Sequence, residues 1–196
     1  MEPFTHLDAV ALPMPRPNID TDQIVPARYL QKPRTEDFGA FLFRDLRVAA
    51  DGRPIAGFAL DAADYAGARI IVAERNFGCG SSREQAVWAL YDYGMRAAIA
   101  PSFGDIFAGN ALKNGLLPIV LLERDVAALL AQLAAHPGAR VRVDLPAQRV
   151  TFPDGASHAF AVDPFAKECL LEGRDEIDYT LSRLSAIEAF EARHEF

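Results

Sequence analysis

Cysteine is scarce in this sequence: Cys79 and Cys169 are the only two in 196 residues. Two thiols cannot build a disulfide framework. They are also too few to hold an iron–sulfur cluster, so no cofactor bound by this chain is expected. A reducing cytoplasm is the simplest compartment for such a chain. Histidine is sparse as well, and His6, His136, His158 and His194 show no metal-ligand spacing. There is no run of Lys or Arg, and the net charge of -7 argues against nucleic acid as the main partner. No apolar run approaches the roughly 18 residues a membrane helix needs, so no membrane partner is expected. Residues 1–17 contain Pro3, Pro13, Pro15 and Pro17 and several charges, not the apolar stretch of a secretory signal. Internal repeats, low-complexity stretches and a dividing linker are all missing, which leaves 1–196 as a single domain.

What is present is ordinary globular composition, 51% hydrophobic and 24% charged, organised around Ile70–Gly94. Ile70, Ile71, Val72 and Ala73 form a short apolar run suited to a buried strand. Gly78 and Gly80 flank Cys79 and supply positive φ and close backbone approach. Ser81 or Ser82 is a natural N-cap for a helix whose face is Ala86, Ala89, Leu90 and Tyr93, with Gly94 ending it. A glycine turn entering a helix N-terminus gathers free N–H groups and the positive end of the macrodipole. Two hydroxyls and Arg83 arrive at the same place. Those groups suit a carboxylate or phosphate. The turn is not a P-loop, a dinucleotide fingerprint or a nucleophile elbow, because each lacks a required residue here. The plain alternative is a Ser-capped helix with a surface Arg.

Gly78–Ala86, GCGSSREQA, resembles the signature of the small swivelling domain of the aconitase superfamily. Asn18–Pro26, NIDTDQIVP, is similar to that family's N-terminal motif. Asp37-Phe38-Gly39 with Leu42-Phe43 resembles its next segment. Ala100–Phe107, APSFGDIF, and Asn110–Pro118, NALKNGLLP, resemble the two that follow. The motifs occur in family order and cover nearly the whole chain. The resemblance implies an α/β fold, an aconitase-type swivelling β/β/α domain with a parallel strand–helix core plus an antiparallel β meander. It implies a large-subunit partner carrying a 4Fe-4S cluster, and a small diacid substrate that loses water and regains it at the neighbouring carbon. Carried over by position, Ser81 would be the base, and Ser82 and Arg83 would assist it and clamp a carboxylate. Thr21 and Asp22 would line the substrate pocket; the plain alternative is an Asx-turn capping a short helix from Ile24. The polar 26–39 loop would be mobile and close over the substrate. There, Arg28 and Arg34 would contact a second carboxylate, and Tyr29 and Leu30 the alkyl group. An ordinary solvated loop is the alternative for all four.

Two departures bear on the substrate. Gln85 stands where the family has His, one turn past Ser81 on the expected helix, and the loop is one residue short between Tyr29 and Arg34. The side group of the diacid is thus left open among related hydratases, and a non-catalytic anion-binding module is the reading from another class. Cys79 fits a small residue in a tight turn, and Trp88 fits packing.

Elsewhere the pattern predicts strands at Ala97–Ala100 and Ile119–Leu122. Helices are expected from Ser102/Asp105 to Lys113, from Asp125 to His136, over Pro164–Leu171 with Asp163 as N-cap and Gly173 closing it, and over Ser185–Arg193. Alternating Val141, Val143 and Leu145, then Val150 and Phe152, then His158, Phe160 and Val162 predict the meander. Residues 1–17 read as an extended lead-in, Phe38–Val48 as helix or strand under the core, and Asp61–Gly67 as a short helix.

Overall fold

The computed structural model describes residues 1–194. One seven-stranded sheet runs through it in the order β4-β3-β2-β1-β5-β6-β7. The strands are β1 (His6–Met14), β2 (Ile70–Ala73), β3 (Ala97–Ala100), β4 (Leu117–Val120), β5 (Arg140–Asp144), β6 (Arg149–Thr151) and β7 (Ser157–Ala159). Strands β1 to β4 are parallel. β5 to β7 continue from β1 as an antiparallel meander. The expected α/β architecture is therefore the observed one.

Strands β2 and β3 are apolar at every position because both faces are covered, as parallel strands require. Successive residues feed opposite faces. Ile71 and Ala73 join a core with helices α3 (Glu84–Tyr93) and α4 (Asp105–Lys113) and with Ile19, Ile24, Phe38 and Phe43. Ile70 and Val72 join a second core on α5 (Glu123–Ala135) and the meander. Helix α5 buries Val126, Leu129, Leu130 and Leu133, the face the periodicity predicts. Helix α6 (Pro164–Glu172) is capped by Asp163, whose side chain accepts from Ala166 N, and ends at Gly173 in the left-handed region, also as expected.

Several expectations need correction. Residues 6–14 are not a lead-in; they form the longest strand, which joins the two halves of the sheet. Leu7, Ala9 and Ala11 do alternate inward, but two of the three are alanine, too small to stand out as an apolar pattern. Strand β4 begins two residues earlier than Ile119. Helix α4 starts at Asp105 with Gly104 as N-cap and no side-chain cap. Ser102 instead accepts a hydrogen bond from Asn76 N at 2.9 Å. The short helix at the first motif, α1 (Thr21–Ile24), begins at Thr21 with Asp20 as its cap. Residues 38–48 hold a 3-10 turn (Phe38–Phe41) and α2 (Arg44–Arg47), and 3-10 turns stand at Ala59–Asp61 and Ala63–Tyr65. The C-terminal segment contains α7 (Glu176–Ser182) ahead of α8 (Leu184–Glu191), whereas one helix was expected. No helix among the described residues is long and apolar enough to cross a membrane.

Candidate active site

The site lies where three parallel strands end, the usual position for ligands in open α/β sheets. The segments leaving β1, β2 and β3 stay in register for a few residues. Isolated bridges pair Asp20 with Cys79 and Phe77 with Phe103. Gly78 N donates to Ile19 O at 2.7 Å, Thr21 N to Cys79 O at 2.9 Å, and Gly104 N to Phe77 O at 2.9 Å. Asn76 Nδ2 donates to Asn18 Oδ1 at 2.8 Å. The motifs that stand far apart in sequence are thus stitched together by backbone.

Space is tight there. Gly78 has φ of 71°, and a Cβ on it would lie 2.2 Å from the Phe107 ring. The chain turns at Gly80, also at positive φ, and delivers Ser81 and Ser82 to the surface. Thr21 is buried at 2% exposure, and its hydroxyl donates to Ser81 O at 3.0 Å. Thr21 therefore holds the Ser81 peptide in place. Asp22 and Arg83 are hydrogen-bonded to each other. Arg83 is mostly covered and Asp22 half exposed. The structure thus brings Thr21, Asp22, Ser81, Ser82 and Arg83 together.

Helix α3 starts later than either serine. Its N-cap is Arg83, with no side-chain cap hydrogen bond. Ser81 and Ser82 are therefore not caps, and among the described residues neither hydroxyl has a hydrogen-bond partner. The N–H groups of Gly80, Ser81 and Ser82 likewise have no acceptor among the described residues. Free hydroxyls, free N–H groups, an Arg and a helix N-terminus are groups whose chemistry suits an anion. Gln85 corrects a second expectation. It does not sit a helical turn above Ser81, because the helix has not begun there. Its carboxamide donates to Leu30 O at 3.3 Å.

The loop residues are engaged with their own chain. Arg28 pairs with exposed Asp45 and holds that carboxyl below its ordinary range by hydrogen bonding. Tyr29 stacks on Phe41 with centroids 4.2 Å apart. Arg34 makes a two-point contact with Asp92, both bonds 2.8 Å. Among the described residues, no hydrogen bond or ion pair joins Arg28 or Arg34 to the serine turn. Sequence reasoning missed Asp92; the available signal was its helical spacing from Gln85 and Trp88.

Cys79 lies beside these groups with its thiol pushed up, first by burial and then by the Asp20 charge. A raised thiol pKa keeps the reactive thiolate scarce at neutral pH. Alkylation of Cys79 by iodoacetamide is expected to be slower at pH 7 than for a free cysteine and to accelerate only into alkaline pH. Mass spectrometry of the Cys79 peptide across pH measures this, and fast labelling at pH 7 would refute it. Among the described residues, no group of three or more His, Cys, Asp and Glu is placed to hold a metal ion.

A glycine–serine turn at the carboxyl ends of parallel strands, in a sheet that continues as an antiparallel meander, is the arrangement of the aconitase-type swivelling domain. The model for the aconitase C-terminal domain matches residues 1–124, and one described as LeuD_N matches residues 127–164. The chain belongs to the aconitase C-terminal domain family and, within it, to the 3-isopropylmalate dehydratase small subunits. It is 48% identical to the 3-isopropylmalate dehydratase small subunit of Magnetococcus marinus, over 99% of this chain and 95% of that one. It is 48% identical to that of a Jannaschia species, over 98% of this chain and 96% of the relative. The solved 3-isopropylmalate dehydratase of Methanocaldococcus jannaschii superposes with a TM-score of 0.68 at 25% identity, covering 95% of this chain and 99% of that one.

Proposed function

We propose that this chain is the small subunit of a 3-isopropylmalate dehydratase of leucine biosynthesis, a hydro-lyase interconverting 2-isopropylmalate and 3-isopropylmalate by loss and re-addition of water. What carries the reading is a free, exposed Ser81 hydroxyl beside an Arg83–Asp22 pair, in a chain 48% identical end to end to small subunits of that name. We further propose that all of 1–196 acts as one swivelling domain in the cytoplasm; the continuous sheet and two free thiols support this.

The large subunit would hold the 4Fe-4S cluster that draws off the hydroxyl. This chain's part is proton transfer and orientation. Ser81 is the base for the carbon-bound proton. A free serine is a very poor base, so its alkoxide must be stabilised where it stands. The Gly80–Ser82 N–H groups, Ser82, Arg83 and the start of α3 supply that stabilisation, and each such donor is worth roughly 10²–10³ in rate. Arg83 clamps a carboxylate by exchanging Asp22 for it. Asp22 keeps the guanidinium aimed until then, and Thr21 anchors the Ser81 backbone. Tyr29 and Leu30 in the 26–39 loop wall the far side around the alkyl group, with Arg28 and Arg34 in the same loop. Ser81, Ser82 and Asp22 are exposed in this chain alone, so a second surface must exclude water before the electrostatics reach full strength. That supports a large-subunit partner docking over the turn.

Reconstitution tests the reading. The chain is mixed anaerobically with its genomic-neighbour large subunit, iron and sulfide, and the unsaturated diacid is followed by absorbance. Turnover of 2-isopropylmalate that needs both chains is the expected result. Turnover only of a methylmalate, dimethylmaleate or homoaconitate would move the substrate and keep the chemistry. No turnover of any diacid would favour a non-catalytic module. In the same assay Arg83→Lys is expected to lower kcat/KM by about 10–100-fold, because a charge-assisted two-point contact becomes a single one. An unchanged kcat/KM would remove Arg83 from the site.

A further inference from the structure

Helix α3 does more than carry the serine turn. Gln85, Trp88 and Asp92 recur at i, i+3 and i+7, so they line one stripe of the helix. Each meets the 26–39 loop at a different point. Gln85 holds the Leu30 carbonyl at 3.3 Å. The Arg34 guanidinium lies 5.2 Å over the Trp88 ring. Both terminal nitrogens of Arg34 bond to Asp92 at 2.8 Å. Phe38 N donates to the same Asp92 carboxylate at 3.1 Å, and the Phe38 ring meets Trp88 edge-on at 5.3 Å. Behind them Gly39 approaches so closely that a Cβ on it would lie 2.7 Å from Tyr93 N. Trp88 is itself held, its Nε1 donating to Asn114 at 3.1 Å.

We propose that Asp92, acting through Arg34, is a positioning residue that clasps the substrate loop to α3, and that Arg34 serves as the clasp instead of contacting substrate. The Asp92 side chain is only 15% exposed and takes three donors from the loop, two of them charge-assisted in the fork geometry that arginine favours. With both terminal nitrogens on Asp92, the end-on fork of Arg34 is occupied, and the carboxylate contact falls to Arg83. The clasp also sets the register of the loop. Leu30 is held by Gln85, two residues beyond Arg83, so the wall facing the alkyl group stands at a set distance from the clamp. The loop is therefore docked before substrate arrives, and binding is spared the cost of ordering it.

This inference rests on the proposed function for its kinetic consequence but not for its structural one. The experiment compares Arg34→Ala, Asp92→Asn and the double variant with the unaltered chain. In the reconstituted pair, each single substitution is expected to raise KM for 2-isopropylmalate roughly tenfold, with kcat changing far less, because a fraction of the loop must now be ordered on binding. The double variant should be no worse than the more damaging single, since both remove one shared contact. In the chain alone, acrylamide quenching of the only tryptophan, Trp88, should rise in all three variants as Arg34 and Phe38 leave the indole. Asp92→Asn keeps the side-chain shape and Arg34 is half exposed, so the fold is expected to survive, as circular dichroism would check. A loss at Arg34→Ala far beyond that at Asp92→Asn, with the two adding in the double variant, would make Arg34 a substrate contact and overturn the proposal. Unchanged quenching would overturn it too. The quenching arm needs no substrate, so an inactive pair would count against the proposed function while the clasp is still decided.

Discussion

Ser81→Ala is expected to lower turnover by on the order of 10²–10⁴-fold, the usual contribution of a positioned base, and to leave folding and assembly almost untouched. The Ser81 hydroxyl is exposed and has no hydrogen-bond partner among the described residues, so removing it breaks nothing in the folded chain. Substitutions at such positions usually shift stability by less than about 0.5 kcal/mol. What fastens the turn is the Ser81 carbonyl, which Thr21 Oγ1 reaches at 3.0 Å, and alanine keeps that carbonyl. The free N–H groups of the turn also stay, so ground-state binding of the diacid should persist. A loss in kcat with little change in KM would mark a group used only in the transition state. The measurement is steady-state turnover of the reconstituted pair beside a thermal melt and gel filtration of the variant. Turnover at the normal rate would end the assignment of Ser81 as the base.

The largest structural effect is expected at Gly78. Alanine there would place its Cβ 2.2 Å from Phe107 Cγ and hold a φ of 71° that L residues adopt at a cost. The strained backbone accounts for roughly 1–3 kcal/mol and the overpacked ring for another 1–3 kcal/mol. Phe107 cannot simply swing aside. It is 3% exposed and packs edge-on against Phe77 at 5.3 Å and parallel to Phe103 at 6.3 Å. Gly78→Ala is thus expected to lower Tm by on the order of 10 °C, and to misplace the turn in whatever remains folded. Gly52→Ala is the internal control. Gly52 has φ of 84° but nothing within 4 Å of an added Cβ, so it carries the backbone cost alone. If the two variants melt together, the packing at Gly78 does not matter as described.

The strand at 70–73 and the buried face of α5 follow from periodicity, because burial on one or both sides writes itself into residue type. The Asp163 cap and the Gly173 stop follow from local chemistry, an Asp side chain reaching the first turn and a glycine taking positive φ. The serine turn was recognisable because its glycines and hydroxyls are needed within a few residues of one another. By contrast, the strand at 6–14 was missed, since Ala9 and Ala11 gain their burial from neighbours on both sides that arrive later in the chain. The start of α3 was placed too early, because serine is a good cap in general and nothing local says that the hydroxyls stay free.

The chain by itself therefore determined the family, the alternation of strand and helix, and the set of groups whose chemistry suits an anion. Each depends on residue type or on spacing along one short segment. Tertiary structure alone decided which of those groups meet. It put Thr21 under the Ser81 carbonyl, Asp22 on Arg83, Gln85 on the loop rather than over the serine, and Arg34 on Asp92, 58 residues away in the chain. The reason is physical. A hydrogen bond between distant residues requires a backbone that brings them within about 3 Å in the right direction, and that backbone is set by the pairing of β1, β2 and β3, not by either partner's own neighbours.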